Sequence, residues 1–212
     1  MHRFSCYTIC SIIVYSMVPT TEETNRVNIL NPFETSILHW IRQTLSCAFL
    51  DAVMPYITKF ADSGIGWILL ALVLLIPRKT RRMGAAMGVA LAIGFVTGNL
   101  LLKNLVARTR PFLFDPSIEL LIAPPHEFSF PSGHTLASFE CAVAVFCYRR
   151  KWGVAALLFA VLIAFSRLYF RVHYVTDILG GMVIGPAVGA LACLAVNIIQ
   201  KKYIKKTNTK GE

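Results

Sequence analysis

The sequence predicts an all-α, polytopic membrane protein: a helical bundle of five or six transmembrane helices with an amphipathic helix lying in the interface. Three observations lead there. Of 212 residues, 56% are hydrophobic and only 15% charged, with a mean hydropathy of +0.61, too apolar for an ordinary soluble domain. The apolar residues gather into uncharged runs that approach or reach spanning length. The basic residues fall in short clusters between those runs. The formal charge of +10 therefore reads as topology signals with some contact to anionic membrane lipid, and not as a nucleic-acid surface.

The length is one domain's worth. Residues 1–32 form an N-terminal hydrophobic segment and polar connector, 33–200 the membrane domain, and 201–212 a basic cytoplasmic tail. Within the first part, the apolar run 4–18 after His2 and Arg3 is either a signal-anchor or a short first helix. Residues 33–49 set Ile37, Trp40, Ile41, Leu45 and Ala48 against Glu34, His39, Arg42 and Gln43. That is helical periodicity with a polar face, and His39 on it reads as solvated. A short apolar piece follows, broken at Pro55. The spans are then 65–76 (short unless it recruits residues before Gly64), 84–102, 135–148, 153–165 and 178–199. The six cysteines have neither a Cys-x-x-Cys pair nor histidines at zinc spacing and read as small buried hydrophobes.

The positive-inside rule orients the spans. Arg78, Lys79, Arg81 and Arg82 follow the first; Arg149, Arg150 and Lys151 the third; Lys201, Lys202, Lys205 and Lys206 the last. These clusters alternate consistently on the cytoplasmic side. Stretches 103–134 and 167–177 must then share the outer face, although they are distant in sequence.

That face carries the chemistry. Lys103 and Arg110 are seven apart, so a helix running to Pro111 would put both cations on one side, suited to a phosphate. Ser132 and Gly133 precede an apolar helix, where free N–H groups and the dipole make an anion site, and His134 sits beside it. His173 and Asp177 are four apart, within hydrogen-bonding reach on a starting helix. A carboxylate on one imidazole nitrogen leaves the other free to attack. Ionisable groups at the edge of a span mark a functional site by default.

Lys103…Arg110-Pro111, then Pro131-Ser132-Gly133-His134, then Ser166-Arg167…His173…Asp177 resemble the three-part signature of the type 2 phosphatidic acid phosphatase family. That family includes integral membrane lipid phosphate phosphatases and bacterial undecaprenyl-diphosphate phosphatases. The motifs cover residues 103–177, and the span pattern extends the likeness over most of 63–199. The resemblance implies that His173 attacks phosphorus to give a phosphohistidine, that Asp177 orients and stabilises it, and that His134 protonates the leaving oxygen and then activates water. It implies that Lys103, Arg110, Arg167, Ser132 and the Gly133 amide hold the phosphate oxygens. With no acidic metal cluster in the sequence, the reaction is expected to need no metal or other cofactor.

Other charged groups fit less neatly. Arg108 and Arg171 could meet lipid headgroups or a second phosphate, headgroups being preferred. His126 and Glu127 are expected to be solvated in the outer loop, with a substrate contact as the alternative, and Tyr169 and Phe170 to be interface aromatics. Glu140, inside a span, either is protonated or pairs within the bundle. The expected enzyme is a lipid phosphatase of a bacterial cell membrane with an extracytoplasmic site, acting on undecaprenyl diphosphate first, and on phosphatidic acid or phosphatidylglycerophosphate second. A non-enzymatic phosphate-binding membrane protein or transporter is the contrasting class, which needs no nucleophile with an orienting carboxylate. A vanadate-dependent haloperoxidase shares the anion site, but those resemble soluble proteins.

Overall fold

The computed structural model describes residues 30–208, so the run 4–18 lies outside the described residues. Helix α1 (Asn31–Leu45) has Pro32 in its first turn, where a missing N–H costs nothing. It buries Leu38 and Ile41 and exposes Phe33 and Trp40. Helix α2 (Ala48–Phe60) and helix α3 (Ile65–Leu75) are joined by the 3₁₀ turn Asp62–Gly64 and bend by 44° at the join. Ser63 and Gly64 make the bend, with φ of 51° and 70°. The run 65–76 is thus preceded by a second apolar helix across a bend of 44°.

Helix α4 (Arg81–Gly94) continues through a π-helical stretch (Phe95–Leu102) into α5 (Lys103–Val106), and α6 (Pro111–Phe114) follows. Helices α7 (Gly133–Tyr148), α8 (Arg150–Tyr169) and α9 (Val175–Asn208) complete the order. Among the described residues, three stretches are long and apolar enough to cross a membrane, Arg81–Phe114, Arg150–Tyr169 and Val175–Lys202, and the bent pair makes a fourth if it is one span. Helix α7, with 16 residues, is about 24 Å long at ~1.5 Å per residue.

Helix α7 is the centre of the bundle, packed by α4, α8 and α9. Small residues permit the approach: a Cβ at Gly185 would lie 2.9 Å from the Leu136 carbonyl oxygen, and one at Gly189 2.4 Å from that of Glu140. Backbones this close are how membrane helices gain packing energy, since lipid tails leave no hydrophobic drive between helices. Trp67 on α3 donates to the Ser138 hydroxyl of α7 at 3.0 Å, so the buried indole N–H is satisfied. Outward, Leu72, Val96, Leu158, Val183 and Leu194 are exposed, an apolar belt that only a bilayer would cover.

One end gathers two of the basic clusters. Lys79, Arg82 and Arg149 line one small pocket of about 180 Å³, so the first two basic clusters share an end. The beginnings of α7 and α9 and the end of α8 lie at the other end, where the site forms.

Candidate active site

The connector from α8 to α9 is held by its own apolar side chains. Tyr169, Phe170, Val172 and Tyr174 are all at most 1% exposed. The expectation of interface aromatics is corrected here: Tyr169 packs edge-on against Phe170, and its hydroxyl donates to Asp51 at 2.6 Å. Arg171 takes a φ of 56°, turning the chain, and its guanidinium donates to the Glu119 carbonyl. It is 9% exposed and committed to that loop, not to headgroups.

His173, 2% exposed, is fixed from both sides. Its Nδ1 lies 3.4 Å from Asp177 Oδ2, and its Nε2 lies 3.2 Å from Arg110 Nη1. A guanidinium can only donate, so Nε2 carries the lone pair and the proton sits on Nδ1, facing the carboxylate. Burial pushes the imidazole down to about 3, outweighing the upward pull of Asp177, and Arg110 pushes the same way. The side chain is therefore a neutral imidazole with its lone pair directed at a cation. Asp177 is fully buried and saturated with donors: Tyr174 N–H at 2.9 Å, the Ser129 hydroxyl, and Arg108 Nη1 at 2.7 Å.

The expected cations meet, but not by helical spacing. Helix α5 ends at Val106, Ala107 is left-handed at φ 46°, and Arg110 is extended before Pro111. The residue before a proline is disfavoured in the α conformation, which is why the two-turn geometry fails. Lys103 and Arg110 converge because the chain turns back, and Arg110 donates to the carbonyls of Glu127 (2.6 Å) and Val172 (2.8 Å). Arg167 reaches Thr58 Oγ1 at 2.6 Å, while its buried Nε has no partner. Lys103 pairs with Glu127, whose side chain remains exposed to solvent as expected.

Ser132 caps α7, accepting from the Thr135 N–H at 3.4 Å and hydroxyl at 3.0 Å. Gly133 follows, and a Cβ there would stand 3.2 Å from Asn99 Oδ1 and 3.8 Å from Lys103 Nζ. His134 Nε2 lies 2.8 Å from Asp62 Oδ1, so the bend between α2 and α3 supplies a second histidine–carboxylate pair.

Lys103, Arg110, Gly133, His134, Arg167 and His173 all line one cavity of about 1540 Å³. It continues between α3, α4 and α7 past Gly94, Gly88 and Ala85 to Leu75. Glu140 lines it too, about two turns below His134, with Oε2 buried and unpartnered. Of the two alternatives for Glu140, protonation or a pair within the bundle, no pair is present among the described residues; a Cβ at Gly94 would lie 1.9 Å from that oxygen, so the carboxyl lies against bare backbone. No group of three or more His, Cys, Asp or Glu that could hold a metal occurs among the described residues.

The family model of the PAP2 superfamily matches residues 80–201. The chain belongs to the PAP2 superfamily. Among its relatives, an undecaprenyl-diphosphatase of Sulfolobus acidocaldarius is 32% identical over 160 residues, 75% of each chain. The undecaprenyl-diphosphatase BcrC of Bacillus subtilis is 32% identical over 142 residues, 67% of this chain and 72% of that one. In fold, the chain resembles the crystal structure of a transmembrane PAP2-type phosphatidylglycerolphosphate phosphatase from Bacillus subtilis, with a TM-score of 0.63 at 23% identity, covering 92% of this chain and 97% of that one.

Several residues that complete the site in this PAP2 protein carry no sequence signal of their own. Thr58 comes from the last turn of α2 and Asp62 from the bend after it, and Ser129 sits just ahead of the Pro131-Ser132-Gly133-His134 stretch. Arg108, expected to meet headgroups, is 7% exposed and lies 3.9 Å above the Tyr174 ring centroid. Glu34, placed on a polar face, is 3% exposed. An unmatched charge on an amphipathic helix is a weak hint that the face is covered, and Glu34 is that hint here.

Proposed function

We propose that this PAP2 protein hydrolyses the terminal phosphate of a membrane-embedded lipid diphosphate, undecaprenyl diphosphate first, from the extracytoplasmic face of a bacterial cell membrane. The tautomer of His173 carries the reading: a lone pair on Nε2, set by Asp177 behind and a guanidinium in front, is an in-line nucleophile beside a cation cluster. His173 Nε2 forms a bond to the terminal phosphorus as the bridging P–O bond breaks. His134 gives the leaving lipid-phosphate oxygen a proton, then takes one from water, which attacks phosphorus and breaks the N–P bond to release inorganic phosphate. Lys103, Arg110, Arg167 and the Gly133 N–H neutralise the equatorial oxygens, with Ser132 fixing the helix end behind them. The names of both polyprenyl-diphosphatase relatives support the substrate, and a cavity running from the phosphate site down the membrane helices supports a long tail.

Glu140 favours a second reading. A carboxyl in that cavity, when protonated, can donate to an ester carbonyl, which phosphatidic acid and phosphatidylglycerophosphate have and a polyprenyl chain lacks. Phosphate release by the purified protein, compared on undecaprenyl diphosphate and phosphatidic acid with chelator present, separates the two. Faster release from the polyprenyl lipid, unchanged by Glu140→Leu, supports the first; preference for the glycerolipid, lost in Glu140→Leu, supports the second.

A further inference from the structure

We infer that Glu34, on the interfacial helix α1, is a positioning residue for the nucleophile, acting on His173 through Arg108 and Asp177. The inference rests on the reading of His173 and Asp177 above. Arg108 Nη1 donates to Asp177 Oδ1 at 2.7 Å, and its Nη2 donates to Glu34 Oε2 and, at 2.8 Å, to Asn31 Oδ1. Glu34 Oε1 in turn accepts from the Thr176 N–H at 2.7 Å and hydroxyl at 2.9 Å. Glu34, Arg108 and Asp177 have side-chain exposures of 3%, 5% and 0%, so solvent does little to screen them. Residue 34 also lies outside the stretch matched by the family model, 80–201.

Charge explains why Glu34 is needed. As the N–P bond forms, the imidazole of His173 becomes cationic and needs the full negative charge of Asp177. A lone buried Arg108 on Oδ1 would cancel it. With Glu34 present, the chain His173–Asp177–Arg108–Glu34 goes from one net negative charge to none as the phosphohistidine forms. Without it, the same chain goes from none to one net positive charge, on buried groups that solvent screens little. Glu34 thus acts on the transition state and leaves substrate binding alone, because it does not line the cavity.

The test uses Glu34→Gln in the full chain. Kinetics are read beside inhibition by inorganic phosphate, a ground-state anion, and by orthovanadate, whose five-coordinate form on a nucleophile mimics phosphoryl transfer. The expected result is a kcat lower by about 10- to 100-fold, the scale of a lost charge-assisted hydrogen bond. KM and phosphate inhibition stay within about threefold, while vanadate inhibition weakens in step with kcat. An unchanged kcat, or phosphate and vanadate affinity falling together with a rising KM, overturns the inference. If Glu34→Gln does not fold, Thr176→Val, which removes one hydroxyl bond to both Glu34 and Arg108 without stranding a charge, should show the same split at about three- to tenfold. Phosphate release that persists in His173→Ala would instead remove the reading beneath it, whatever Glu34→Gln does.

Discussion

Replacing Asp177 with Asn changes one atom and should remove most of the activity. Asp177 Oδ2 stands 3.4 Å from His173 Nδ1, and both groups are buried. At an effective dielectric constant of ~20, a unit charge pair at that distance is worth about 5 kcal/mol. That attraction exists only once the imidazole becomes cationic, so nearly all of it belongs to the transition state and the intermediate. The amide adds a tautomer fault. With its NH₂ toward Nδ1, the imidazole must carry its proton on Nε2 and loses its nucleophilic lone pair; with its oxygen there, the NH₂ faces Arg108. The expected loss in kcat is about 10³- to 10⁴-fold, some 4–5.5 kcal/mol, with KM changed by less than about threefold, because Asp177 does not line the cavity. Single-turnover phosphate release in detergent measures it, with thermal unfolding as a check that the protein is intact. A folded Asp177→Asn protein that keeps more than a tenth of wild-type kcat would refute this account of the His173–Asp177 pair.

Two further predictions concern the same groups. Asp62 is half exposed and accepts from His134 at 2.8 Å, so Asp62→Asn should lower kcat by about 5- to 20-fold, less than the buried pair because solvent screens it; a steady-state assay with undecaprenyl diphosphate reads it, and an unchanged kcat removes Asp62 from the site. In pH, the His173 imidazole is held near 3 in the fold, by burial first, against about 6.5 in an unfolded chain. Between those values the unfolded state binds a proton that the folded state refuses, so His173 contributes stability that is fully present above about 6.5 and is lost as pH falls toward 3. Asp115, drawn down to about 2 chiefly by its hydrogen bond to His39, adds stability present above about 3.8 and lost toward 2. Thermal unfolding of the wild type should weaken from pH 6.5 downward, and His173→Gln should flatten that slope.

The parts of the site legible in the sequence were those where topology or short spacing does the work. Alternation of basic clusters put residues 103–134 and 167–177 at one end, and His173, just ahead of α9, is close enough in sequence to meet Asp177 in its first turn. Ser132 and Gly133 were readable because capping is local chemistry. Geometry that depends on how helices break was not readable. Lys103 and Arg110 meet through the left-handed Ala107 and an extended Arg110, and periodicity does not see either. Asp62 reaches His134 only because Ser63 and Gly64 bend the α2–α3 pair. Glu34 and Arg108 looked like surface charges because each is ordinary on its own segment; their burial follows from α1 folding over the start of α9, 142 positions away at Thr176. Tyr169 and Phe170 misled for a similar reason, since aromatic residues near a span end read as interface anchors until a loop closes over them.

The central claim is that His173 carries the phosphoryl group. Terminally ³²P-labelled undecaprenyl diphosphate, mixed with the purified protein and quenched within a single turnover, tests it most directly. The account predicts label on the protein that survives base and is lost in acid, mapped to His173. In His134→Ala, which lacks the acid of the first step and the base of the second, label should form more slowly but persist, and it should be absent in His173→Ala, which should also release no phosphate. Phosphate release from folded His173→Ala at the wild-type rate would contradict the claim outright.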